Sequence, residues 1–184
     1  MKTDEIKLLY EYNYWSTQCI LTTCAKVSEE QYVTTTNFGN LRAILVHIVD
    51  TTWSWRTAFQ EYFFAVDPLN ASSPTEATKV WDIGELTVAD LTTLDAVNER
   101  WQAEVKALWV YLDSLTDQDL NGLVRYGIPE GPVRERVLWH CLLHLVNHGT
   151  QHRSEAAALL TSYGQSPGDL DFTVFLNQYF NLPT

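Results

Sequence analysis

Apolar residues recur along this chain at three- and four-residue steps, the spacing of helices with one buried face. Leu8, Leu9, Tyr12, Trp15, Cys19 and Thr23 mark a first helix from Thr3 to about Lys26. Val27 to Thr36, β-branched and polar, breaks that pattern. Asn40 is placed to cap a second helix, with the stripe Leu41, Ile44, Ile48, Thr52, Trp55, Phe59 and Tyr62. Asp67 to Leu86 is rich in Pro, Ser, Asn and Thr, and a connection this long is expected to serve as a rim or lid. Thr87 with Asp90 reads as a helix start in the capping-box style. Leu91, Leu94, Val97, Trp101, Val105, Leu108, Leu112 and Leu115 then carry a third helix to about Ser114. Asp117 to Gly131 reads as irregular, with an extended or hairpin piece at VRYGIP. Pro132 suits the first turn of a fourth helix, which runs to about Ser162 and stops before Gly164. Asp169 to Phe180 is expected to form a short aromatic helix packed on the others. Four long amphipathic helices with two long connections predict an all-α, four-helix bundle with a short additional C-terminal helix, as one domain over residues 1–184.

The fourth helical stretch adds chemistry. His140, His144, His148 and His152 follow one another at four-residue steps, and the fifth histidine, His47, lies in the second helix. Four residues overshoot a helical turn by about 40°, so the series fans out. With Val137 at zero, the apolar face runs from about 40° to about 100°, through Cys141, Leu145, Ala156 and Leu159. On the same scale His148 falls at about 20° and His152 at about 60°. His144 lies at about 340° and His140 at about 300°. The first two are therefore expected on the core face, His144 at its edge and His140 in solvent. Read from the residues alone, His148 and His152 are either hydrogen-bonded core residues or a pair sharing one metal ion. His47 sits at the edge of its own helix's stripe, where a neighbouring helix can meet it.

Composition narrows the partners. The formal net charge is −11. Nucleic acid or an anionic membrane surface would call for a basic patch, so neither is expected as a partner. No run of 18 apolar residues suggests a membrane span, and no signal-like core opens the chain. Cys19, Cys24 and Cys141 form no CxxC pair, which fits small buried hydrophobes in a reducing cytoplasm.

Three stretches are similar to a known family: YNYW (Tyr12 to Trp15), LVHIVDTTWSW (Leu45 to Trp55) and LLHLVNHGTQHR (Leu142 to Arg153), followed by GQSPGDLDF (Gly164 to Phe172). With these the chain resembles the DinB/YfiT-like family of metalloenzymes over nearly its whole length. The resemblance implies a four-helix bundle, often a homodimer, with three histidines on a divalent metal, usually zinc or nickel. The positions that match that triad are His47, His148 and His152. Where the family commonly reads HRGQ, this chain has HRSE, His152 to Glu155. Glu155 is thus a candidate fourth ligand, a carboxylate behind a ligand, or a general base. Arg153 is a candidate to meet an anionic substrate group, or to form a structural ion pair.

Three protein ligands leave a coordination position open, which favours catalysis over a closed structural site. A bound metal brings a water's pKa down to about 7 and deprotonates a coordinated thiol. By resemblance, the expected chemistry is thiol-dependent S-transfer or isomerisation with a low-molecular-weight thiol as cosubstrate. The alternatives are a hydrolase using metal hydroxide, and a stress protein that binds metal or a small ligand without turnover.

Overall fold

A computed structural model describes residues 1–37, 39–62, 86–126 and 134–182. Its long helices are α1 (Thr3–Cys24), α3 (Leu41–Tyr62), α4 (Leu94–Ser114) and α6 (Leu138–Ser162). Shorter elements are α2 (Glu29–Val33), α5 (Asp117–Leu120), the strands β1 (Leu123–Tyr126) and β2 (Arg134–Val137), and α7 (Phe172–Tyr179). The protein is all-α apart from the small β1–β2 hairpin, which pairs antiparallel with Leu123 opposite Val137. In the bundle α1 packs on α6, α6 on α3, α3 on α4, and α4 on α1.

The core divides into two apolar clusters. One holds Ile6 and Tyr10 of α1, Trp55 and Phe59 of α3, Leu108 and Leu112 of α4, and Leu138 to Val146 of α6. The other holds Ile20 to Cys24, Leu41 to Val49, Val97 with Trp101, and Ala156 to Leu160. The chain meets the first cluster before the second in α1 and α6, and after it in α3 and α4. The bundle therefore runs up, down, down, up, and the parallel pair α3–α4 calls for a long crossover connection between them. Between the clusters each helix carries buried polar groups: Asn13, Ser16 and Thr17, then Thr52 and Ser54, then Glu104, then Arg153. Only Thr23, among the described buried polar residues, lies outside this belt. Burial of polar groups demands partners. Glu104 takes a bidentate pair from Arg56, with Arg56 Nη2 at 3.1 Å from Oε2.

Several boundaries differ from those the sequence predicts. The Thr87–Asp90 box forms, with the Thr87 N–H donating to Asp90 Oδ2 at 2.8 Å, but it closes an isolated turn. The third long helix starts after Thr93, whose Oγ1 accepts from Ala96 N–H. The fourth starts at Leu138 rather than Pro132, because Arg134–Val137 is drawn into the hairpin with β1. Ser28 and Gln31 cap each other reciprocally around α2, inside the stretch read as a break. Asn40 does cap α3, its Oδ1 accepting from Ala43 N–H at 2.8 Å. Asp171 caps α7, which lays Phe172 and Phe175 against Tyr12 at 5.2 and 5.8 Å. The expected lid falls almost wholly outside the described residues, as do Pro132 and the side chain of Tyr62. No described helix is long and apolar enough to cross a membrane.

Candidate metal centre

His148 and His152 stand one turn apart on α6, and α3 brings His47 to the same point. One ligand nitrogen from each of the three rings lies within 4.8 Å of the others. Nε2 of His47 and Nε2 of His148 are 3.1 Å apart. Two nitrogens bound to one zinc ion, each about 2.0–2.1 Å from it, stand roughly 3.0–3.4 Å from each other, so this spacing suits a shared ion. The His152 ring centroid lies 4.7 Å from that of His47 and 4.4 Å from that of His148. His47 is exposed and the other two are half-buried, so the group faces outward on its α3 side. The helical construction puts His148 and His152 in the core. They sit instead at its margin, because the belt they occupy is where the apolar face is interrupted.

Burial drives the pKa of His148 down to about 3, and the neighbouring rings of His152, His47 and His144 push the same way. Its imidazole is therefore neutral at physiological pH, the state that donates a lone pair to a metal. A pH dependence follows for the metal-free chain. The unfolded chain takes up a proton near the usual 6.5, while folded His148 resists until about 3. Stability from this residue is complete above the unfolded value and is lost as pH falls through that window. Urea midpoints of the metal-free chain are expected to drop between pH 7 and pH 4, and His148→Asn to flatten the slope. An unchanged slope in the variant would exclude His148 as its source.

Glu155 reaches back one turn, with Oε2 2.7 Å from His152 Nδ1. It is not part of the group of converging ligand atoms. Arg153, 2% exposed, is directed into the α1–α6 interface. Its Nη1 donates to Asn13 Oδ1 and to Thr17 Oγ1 at 3.2 Å, its Nη2 donates to Thr150 Oγ1 at 2.9 Å, and its guanidinium lies 5.7 Å from the Tyr12 ring centre. Burial pulls its pKa down to about 10, against the raising effect of Tyr12, so it stays charged at neutral pH. Among the described residues it has no carboxylate partner. The anionic substrate contact expected of it has no exposed face to use here. His144 is exposed, packs 5.4 Å from Trp55 and lies 5.9 Å from His148. His140 is exposed beside Trp139.

Sequence reasoning misses two residues that build this region. Asn13 enters only as a letter of the YNYW stretch, because the stripe along α1 follows Tyr12 and Trp15. Gly149 gives only a weak signal, although a glycine inside a helix usually has a packing reason. A Cβ at Gly149 would stand 2.6 Å from both Arg153 Nη1 and Asn13 Oδ1. Cys24 and Cys141 are buried, which raises their thiols to about 12 and about 11 and makes them poor nucleophiles.

The fold and site define a helical bundle with a three-histidine cluster suited to a divalent metal. Residues 1–179 match the DinB family, and the chain belongs to it. It is similar to "Protein DinB" of Bacillus subtilis (strain 168), with 24% identity over 170 residues, covering 91% of each chain.

Proposed function

We propose that this protein is a metal-dependent enzyme in which His47, His148 and His152 hold one divalent cation, zinc or nickel. The observation that carries the reading is the convergence of three ring nitrogens on an outward-facing point. When bound, the ion supplies a Lewis acid that lowers the pKa of a water or thiol placed on it. The chain's own part is to offer three imidazole nitrogen donors from two helices and to leave the α3 side open to a small substrate. The proposed reaction is transfer or isomerisation of a group on the sulfur of a low-molecular-weight thiol. Its thiol proton passes to solvent or to a nearby base, and Glu155 is a carboxylate that touches the triad, through His152 Nδ1. The reading also takes the chain as a cytoplasmic homodimer, with neither nucleic acid nor membrane as partner, in keeping with its net charge of −11.

Metal-loaded protein is expected to turn over thiol–electrophile pairs well above a His148→Ala control. Turnover of activated esters alone would replace the transferase by a hydrolase. Metal binding without turnover of either class would leave a binding protein.

A further inference from the structure

Glu155 stands behind one of the three histidines rather than beside the point they share. Its Oε2 is 2.7 Å from Nδ1 of His152, three residues earlier on α6. A carboxylate accepts, so the ring hydrogen belongs on Nδ1 and the lone pair is left on Nε2. The other two rings already meet through Nε2, at 3.1 Å. We infer that Glu155 is a positioning residue: it holds His152 as the Nδ1–H tautomer and presents Nε2 to a divalent cation shared with His47 and His148.

The inference rests on the metal reading above and adds a part for a residue outside the triad. Neighbours three apart on a helix face each other, so the contact needs no other element to hold it. Such a pair contributes little to stability, because the Glu155 side chain is 31% exposed. Its effect lies in the ring. Without an acceptor at Nδ1 the imidazole is free to rotate and to exchange tautomers, and one of the two tautomers blocks Nε2 with a hydrogen. A negative acceptor also raises the basicity of the nitrogen across the ring, and loss of such a partner typically weakens metal binding about 10- to 100-fold. A glutamine here would keep an acceptor oxygen and lose the charge.

The test uses two readouts. In the metal-free chain, ring ¹⁵N shifts of His152 are expected to report Nδ1–H in the unaltered protein and in Glu155→Gln. A move toward Nε2–H is expected in Glu155→Ala. Zinc affinity from competition with a chelator is expected to fall roughly tenfold in Glu155→Ala, with much of the loss recovered in Glu155→Gln. Thermal unfolding of the metal-free variants should match the parent. If Glu155→Ala binds zinc as tightly as the parent and keeps the same tautomer, the inference is overturned and the metal site stands. If the unaltered chain binds no zinc, the site and the inference fall together.

Discussion

Arg153→Ala is expected to lower the unfolding free energy by about 3 kcal/mol, the sum of a core cavity and hydrogen bonds left unmade to a charged group. The side chain is among the largest that are fully buried, and it joins α1 to α6 through Asn13, Thr17 and Thr150. Truncation leaves Asn13 Oδ1 buried without its donor. Arg153→Met should cost less, because it fills the volume and removes a cation that is expensive to keep from water. Gly149→Ala provides an independent check on the same cluster. On an open helix that change gains about 1 kcal/mol. Here the new methyl would meet Arg153 Nη1 and Asn13 Oδ1 at 2.6 Å. Both atoms belong to one buried hydrogen-bonded network, so moving either disturbs its bonds, and a net loss of about 1–2 kcal/mol is expected from overpacking. Urea unfolding of the metal-free chain measures both. A stabilised Gly149→Ala would show that the cluster yields freely and does not lock α1 to α6.

His148→Ala is expected to weaken zinc binding by on the order of 100-fold or more. Structural zinc sites gain roughly 10–16 kcal/mol from four ligands, or about 3 kcal/mol for each, and every 1.4 kcal/mol is about tenfold. His148 contacts both of the other rings, at 4.9 and 4.4 Å between centroids, and those two stand 4.7 Å from each other. His47→Ala and His152→Ala should act in the same direction. His140→Ala should not, since its ring lies beside Trp139 in solvent. Chelator competition on the five proteins gives the comparison. Equal affinity in His148→Ala would remove it from the site.

The bundle was legible in the sequence wherever one face of a helix does most of the packing. The stripe along α3, from Leu41 through Phe59, matches the buried side of that helix at Leu41, Ile44, Ile48, Thr52, Trp55 and Phe59. The stripe drawn along α1 does not. Of its members only Thr23 is buried and Leu8, Leu9, Tyr12, Trp15 and Cys19 are half-buried, while Ile6, Tyr10, Asn13, Thr17, Ile20 and Leu21 are buried. The reason is that α1 is covered on two sides. Its aromatic side receives Phe172 and Phe175 of α7, and its more polar side enters the belt that holds Arg153. The more apolar side shows the clearer periodicity, and here the side that carries Asn13 and Thr17 lies deeper.

The candidate site was legible because the helical fan puts His148 and His152 nearest the apolar face, His47 lies at the edge of the α3 stripe, and the family resemblance matches the same three positions. The contact of Glu155 with His152 was open from spacing alone, since three residues also allow the carboxylate to point toward the ion. The place of Arg153 was not visible, because the two partners that draw it into the interface, Thr17 and Asn13, lie 136 and 140 residues away on α1. Nothing local distinguishes a buried guanidinium from one facing substrate.

X-ray absorption at the metal edge of protein loaded with one equivalent of zinc reads directly whether His47, His148 and His152 hold the ion. Imidazole scattering from three rings is expected, with nitrogens at about 2.0–2.1 Å and room for a further light ligand, and one ring fewer in His47→Ala. Zinc bound through sulfur, or a spectrum unchanged in His47→Ala, would contradict the three-histidine site.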